Sequence, residues 1–118
     1  MVLVDTSVWI QHLRDGSPKL IELLEQGSVV CHPYVVCELA CGTLQNREII
    51  LSSLDRLPSA KVATHAEIRH FIETHKLMRK GLGLIDVHLL ASSHLSSIVL
   101  WTRDKRLQQA AELLSISL

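Results

Sequence analysis

Four acidic residues, Asp5, Glu38, Asp86 and Asp104, stand where their carboxylates could gather a cation. Asp5 directly follows the apolar run 1–4, and Asp104 follows the apolar run 98–101 after Thr102 and Arg103. Two different strand ends would thus deliver carboxylates to one edge of a parallel sheet, where ligands collect in open α/β folds. Glu38 shares a helical face with Val35, Leu39 and Gly42, and Asp86 sits inside Leu84-Ile85-Asp86-Val87, so both are expected among apolar neighbours. Each then needs a partner, because an unpaired carboxylate loses its hydration on burial. The alternatives are ordinary ones. Asp5 and Asp104 could be helix N-caps, and Glu38 and Asp86 could form buried ion pairs with Arg14, Arg69 or Arg103. If all four converge, their mutual repulsion calls for a divalent ion, and all-oxygen ligation selects Mg²⁺ or Mn²⁺ over zinc. Such an ion lowers the pKa of a bound water, and the chemistry expected of that water is attack on a phosphodiester.

The elements that must position these acids can be read from periodicity. Residues 1–4 read as a strand, and Asp5-Thr6-Ser7 turns into a helix carrying Val8, Trp9, Ile10 and Leu13. Asp15-Gly16-Ser17-Pro18 breaks it, and 19–26 forms a second helix that Gly27 ends, giving a helical hairpin. A strand at 28–31 precedes a helix opened by Pro33 and running to about Thr43. Residues 45–54 read as helix, 60–63 as a brief strand, and 65–80 as a longer helix with Ile68, Ile72 and Leu77 inward. Gly81-Leu82-Gly83 is a loop before a helix at 84–95, a buried strand at 97–101, a helix at 104–114 and a weak strand at 116–118. Strands alternating with helices imply a parallel sheet covered on both faces.

At 118 residues the chain is expected to be one domain, 1–118. Apolar residues make up 47% of it, which places it among globular rather than disordered chains. The only aromatic residues are Trp9, Tyr34, Phe71 and Trp101, so an extended base-stacking platform is not expected. A formal charge of zero excludes a general attraction to nucleic acid, leaving local patches at Lys76, Arg79 and Lys80 and at Arg103, Lys105 and Arg106. On charge alone these are ordinary solvated surface. No long apolar segment and no signal-peptide pattern is present, so a cytoplasmic location without a membrane partner is expected. Cys31, Cys37 and Cys41 near His32 lack paired zinc-ligand spacing and are expected as reduced thiols. No histidines pair at i, i+4 within one helix, and His88 alone lies close to an acid of the set.

Val4-Asp5-Thr6-Ser7, Glu38, the run Gly-Leu-Gly-Leu-Ile-Asp-Val-His-Leu-Leu-Ala-Ser at 81–92 and the run Leu-Trp-Thr-Arg-Asp-Lys-Arg-Leu at 100–107 resemble the PIN-domain family, in particular its VapC toxin type. Each motif alone is weak; their order along nearly the whole chain is specific. The resemblance implies a three-layer α/β/α sandwich around a parallel sheet of about five strands. It also implies a Mg²⁺- or Mn²⁺-dependent endoribonuclease inhibited by a small cognate antitoxin, with a homodimer expected. Carried over by position, Asp5, Glu38 and Asp86 would be core metal ligands, and Asp104 a fourth acid acting through water or on a second ion. Thr6 and Thr102 match hydroxyl positions that could orient a carboxylate or water, or could simply cap and turn. Lys76, Arg79, Lys80, Arg103, Lys105 and Arg106 could guide RNA phosphates. Trp9, Leu13, Leu20 and Leu24 either line an antitoxin groove or pack the core. The sequence given stops at Leu118, sooner than many similar chains, so a short last sheet edge is expected.

A different class, a non-catalytic module that sequesters a protein or RNA partner, would also keep this fold. A receiver or phosphatase relative is disfavoured, because Asp5-Thr6-Ser7 lacks a second early acid and Glu38 has no role there. No G-x-x-x-x-G-K nucleotide loop occurs.

Overall fold

The strand β1 (Val2–Val4) forms the middle of the sheet because it is apolar on both sides of its pleat. Val2, Leu3 and Val4 are exposed by only 5%, 0% and 0%, and successive side chains of a strand point to opposite faces, so both faces are covered. Residues 1–118 are described by a computed structural model. Ten elements follow one another: β1, α1 (Thr6–Asp15), α2 (Pro18–Glu25), β2 (Val29–Val30), α3 (Pro33–Cys41), α4 (Arg47–Asp55), α5 (His65–His75), α6 (Leu84–Ser96), β3 (Val99–Trp101) and α7 (Lys105–Leu113). The sheet order is β2-β1-β3, all parallel, with Leu3 opposite Val30 on one side and Leu100 on the other. This register aligns the C-terminal ends of β1 and β3, where Val4 lies beside Trp101 and the Asp5 N–H donates to the Trp101 carbonyl at 2.9 Å.

The expectation of about five strands is corrected to three. The two outer candidates each make a single parallel bridge, Cys31 with Ser59 and Leu100 with Ser117. Pro58 has no N–H, so that edge has only the Cys31 N–H to the Pro58 carbonyl and the Ala60 N–H to the Cys31 carbonyl, both 2.8 Å. At the other edge Ser115 takes a positive φ of 58° just before the chain meets Leu100, and only Ile116 and Leu118 bond to it.

Local chemistry explains the helix limits. Ser17 caps α2 ahead of Pro18, the His32 ring nitrogen caps α3 ahead of Pro33, and Thr64 with Glu67 forms a reciprocal capping box on α5. The helix expected over 65–80 ends at His75 instead. Lys76 adopts a left-handed φ of 53°, and the Leu77 N–H reaches back to the Ile72 carbonyl at 3.0 Å. This closure lets Leu77, only 5% exposed, turn into the core, a stronger term than continued helix at an exposed Lys-rich end. Lys76, Arg79 and Lys80 therefore ride on a turn leading to the Gly81–Gly83 loop.

Twenty-six apolar residues form one contiguous core around the sheet. Trp9 and Leu20 belong to it, whereas Leu13 is exposed and Leu24 only partly buried, which divides the four hairpin residues between core and surface. The three cysteines are free; burial, reinforced by Asp55, pushes the Cys31 thiol up to about 11, while Cys37 and Cys41 are exposed. No helix is long and apolar enough to cross a membrane.

Candidate metal centre

Asp5 leaves β1 at the sheet's C-terminal edge and is held by three donors. Its Oδ1 accepts the Thr6 N–H at 2.7 Å, and its Oδ2 accepts the Ser7 hydroxyl at 2.8 Å and the Thr102 hydroxyl at 2.7 Å. A carboxylate offers about four lone-pair sites, so one position on Oδ1 stays open in an otherwise fixed, 7%-exposed side chain. Thr102 comes from the end of β3 and also accepts the Asp104 N–H at 3.1 Å, so one hydroxyl ties two of the acids together. Thr6 does the same on the other side, donating to Glu38 Oε1 at 2.6 Å. Both threonine hydroxyls thus orient a carboxylate, which goes beyond capping.

Glu38 corrects one expectation. It was expected on a burying face, yet it is exposed on α3, because only Val35 and Leu39 of that face reach the core. Asp86 is half-buried in the first turn of α6, and its Oδ2 accepts the Gly83 N–H at 2.9 Å. Burial raises its pKa, and the negative charges of Asp5 and Asp104 raise it further, against the lowering effect of the Gly83 bond. Asp104 is the N-cap of α7, its Oδ1 accepting the Leu107 N–H at 3.0 Å. The capping role expected as an alternative therefore holds for Asp104 and equally for Asp5, the N-cap of α1, while the second oxygen of Asp104 carries no protein hydrogen bond.

The ion-pair alternative fails on inspection. The single salt bridge in the chain joins Arg14 to Asp15 at 3.2 Å, and no arginine or lysine reaches Glu38, Asp86 or Asp5. Nor do the side chains as placed close around one point, since no three acidic, imidazole or thiol groups stand at ligand spacing. The donor set nevertheless suits a hard divalent ion: oxygen-only carboxylates without a protein cation, Asp5 joined to Glu38 through Thr6 and to the Asp104 backbone through Thr102, with Asp5 and Asp104 repelling the charge on Asp86.

Sequence reasoning missed Ser7 as a separate contributor. Its hydroxyl donates to Asp5 and accepts the Arg103 N–H at 3.0 Å, so it pins the turn after β3 to the turn after β1. Its place in the Asp-Thr-Ser run was the available signal. The basic candidates are dispersed: the Arg103 guanidinium bonds Gln11 at 2.5 Å, and Lys105 and Arg106 are exposed in the first turn of α7. His88 does not join the acids. It is buried against Tyr34, with ring centroids 4.7 Å apart, and its Nδ1 has no partner. Burial and the neighbouring His88 hold His32 down to about 4, so this aromatic cluster between α3 and α6 is neutral packing.

Thr102→Val keeps the shape of the side chain while removing a donor to Asp5 and an acceptor for the Asp104 N–H. It is expected to lower unfolding free energy by about 1–3 kcal/mol, read by urea denaturation, with Thr102→Ser recovering most of the loss. Equal midpoints for Val and wild type would show that the hydroxyl does not organise the edge.

The sequence pattern of the PIN domain matches residues 2–113. The chain is 45% identical over 111 residues to Ribonuclease VapC32 of Mycobacterium tuberculosis strain CDC 1551, an alignment covering 93% of this chain and 90% of that protein. Ribonuclease VapC32 of strain H37Rv gives the same identity and coverage.

Proposed function

The chain belongs to the PIN-domain family, and from that premise we propose that it is a VapC-type endoribonuclease, the toxin of a toxin–antitoxin pair, built as a single three-layer α/β/α domain. The observation that carries the reading is the hydroxyl-linked set of carboxylates at the ends of β1 and β3, left without any protein cation. Asp5, Glu38 and Asp86 would hold Mg²⁺ or Mn²⁺, with Asp104 one water away or on a second ion. When bound, the ion supplies a Lewis acid for phosphate oxygens and a water of lowered pKa for in-line attack on phosphorus. Asp5 contributes a fixed oxygen that does not reorganise, because three donors set its position. Thr6 and Thr102 keep Glu38 and Asp104 at their distances from it. Basic side chains from among Lys76, Arg79, Lys80, Arg103, Lys105 and Arg106 guide the RNA backbone past this acidic centre. As the toxin of such a pair it would act in the cytoplasm, on cellular RNA.

The antitoxin is assigned to the apolar surface of α1, α2 and α4. Two adjoining clefts of about 340 and 180 Å³ share Leu13 and Ile50 there, and Ile10 and Ile49 are 49% and 68% exposed beside them. A homodimer would extend the RNA-binding surface across two such centres.

Purified protein is expected to cleave RNA with Mg²⁺ or Mn²⁺, to stop in chelator, and to recover on adding Mn²⁺. Cleavage undiminished by chelator would overturn the reading, and tight RNA binding without cleavage would favour the sequestering module instead.

A further inference from the structure

No two histidines pair within one helix of this chain, yet the fold brings two together across a helix boundary. His75 closes α5 and His94 stands in the last turn of α6, with ring centroids 5.0 Å apart and planes inclined by 70°. Both rings pack against Phe71, at centroid distances of 4.6 and 5.6 Å, so each imidazole is held by two neighbouring rings. They border a cavity of about 450 Å³ whose other polar groups are Glu67, His70 and Thr74. Of its three imidazoles only His70 has a hydrogen-bond partner, the Thr74 hydroxyl at 3.2 Å. Burial, and then the charges of His94 and His70, lower the His75 pKa from its ordinary value of 6.5, so this ring is neutral at pH 7 and has a lone pair to give.

Two imidazoles that share one tetrahedral ion, each nitrogen at about 2.0–2.1 Å, have ring centres about 5 Å apart, which is the separation of His75 and His94. The electrostatics favour a cation as well. Both residues lie where helix carbonyls run out of intrahelical partners, so two C-termini present partial negative charge together. Glu67, kept ionised by its hydrogen bonds with Thr64, adds a full negative charge at the cavity wall, and no arginine or lysine lines it. We propose that His75 and His94 form a second metal site, taking a borderline transition ion such as Zn²⁺, that ties the end of α5 to the end of α6. Two protein ligands leave the remaining positions to water, since no third ligand group stands at the required spacing. The chemistry differs from that of the carboxylate centre, because imidazole nitrogen suits zinc, nickel and copper whereas carboxylate oxygen suits Mg²⁺ and Mn²⁺. The place differs too, His94 lying about 12 Å of helical rise along α6 from Asp86. Because the ion bridges two helices that separate on unfolding, it stabilises the native state and pins the helix that carries Asp86.

The inference stands apart from the ribonuclease reading and is tested without RNA. Zn²⁺ is titrated into the full chain in excess Mg²⁺, which competes for the carboxylates, and histidine ring signals are followed by NMR. The His75 and His94 signals, identified by their loss in His75→Gln and His94→Gln, should shift together while those of histidines outside the cavity stay in place. In His94→Gln the shift of the remaining His75 signal should need at least about tenfold more Zn²⁺. His70→Gln should titrate as wild type does. Zn²⁺ should also raise the urea midpoint of wild type more than that of His94→Gln. His94 is exposed, so this variant is expected to fold as wild type does in chelator; should His75→Gln fail to fold by circular dichroism, His94→Gln decides alone. Zn²⁺ taken by the exposed thiols of Cys37 and Cys41, or by the carboxylates, would leave both rings unshifted and overturn the site. An unchanged His75 titration in His94→Gln would overturn it equally.

Discussion

Asp5→Asn is expected to lower kcat/KM for RNA cleavage by about a thousandfold while leaving the protein folded. The substitution removes the charge and keeps the shape. Its amide oxygen can take the place of Oδ1 and accept the Thr6 N–H, while its NH₂ group meets the Ser7 and Thr102 hydroxyls, which can rotate to accept. The hydrogen-bond network is therefore rearranged rather than orphaned, and destabilisation should stay near 1 kcal/mol. The ligand function has no such remedy, because a neutral amide attracts a divalent ion far less than a carboxylate does. Asp5→Ala should differ in kind: with no acceptor left, the Thr6 N–H and two hydroxyls lose their partner and stability falls as well. Steady-state cleavage, Mn²⁺ titration by calorimetry and thermal unfolding on the two variants separate the effects. A kcat/KM within tenfold of wild type for Asp5→Asn would remove Asp5 from the centre.

How far this centre was legible in the sequence depends on which force places each residue. Asp5 and Asp104 could be located because they follow short apolar runs that form strands, β1 fully buried and β3 buried at Leu100, and strand ends fix where the next residue emerges. Asp86 was legible from its apolar neighbours, and it is half-buried as that pattern requires. Glu38 was assigned to the right helix for an incomplete reason, since it is exposed at the margin of a face whose Val35 and Leu39 are buried. Helical periodicity gives an angle around the axis and says nothing of how far the neighbouring elements extend. The sheet width failed for a related reason. Residues 60–63 and 116–118 have strand-like composition, but ladder length is set by Pro58 and by the turn at Ser115, which are tertiary and backbone effects. The end of α5 likewise turns on whether Leu77 is better buried beyond the helix than within it.

Asp86→Asn is expected to move stability and activity in opposite directions, and to do so in a way that divalent ions reverse. Wild-type Asp86 is raised first by burial and then by Asp5 and Asp104, with no cation to offset them. Its folded pKa therefore lies above its unfolded value, and the folded chain holds the proton more tightly. As pH climbs from the unfolded value of 3.8 through the raised folded value, this carboxylate progressively costs the native state stability, and the full cost persists at neutral pH. An asparagine has nothing to ionise, and its amide oxygen still accepts the Gly83 N–H that caps α6. In chelator the variant should therefore unfold at a higher urea concentration than wild type at pH 7, with the gap closing as pH falls through that window. Adding Mn²⁺ should stabilise wild type by mass action and leave the variant almost unmoved, so the order inverts. RNA cleavage by the variant should meanwhile fall by about a thousandfold, because the ion it would position is no longer held. Urea midpoints across pH, with chelator and with Mn²⁺, test the argument directly. A variant less stable than wild type in chelator at neutral pH would mean that Asp86 contributes a favourable contact rather than an uncompensated charge kept for the metal.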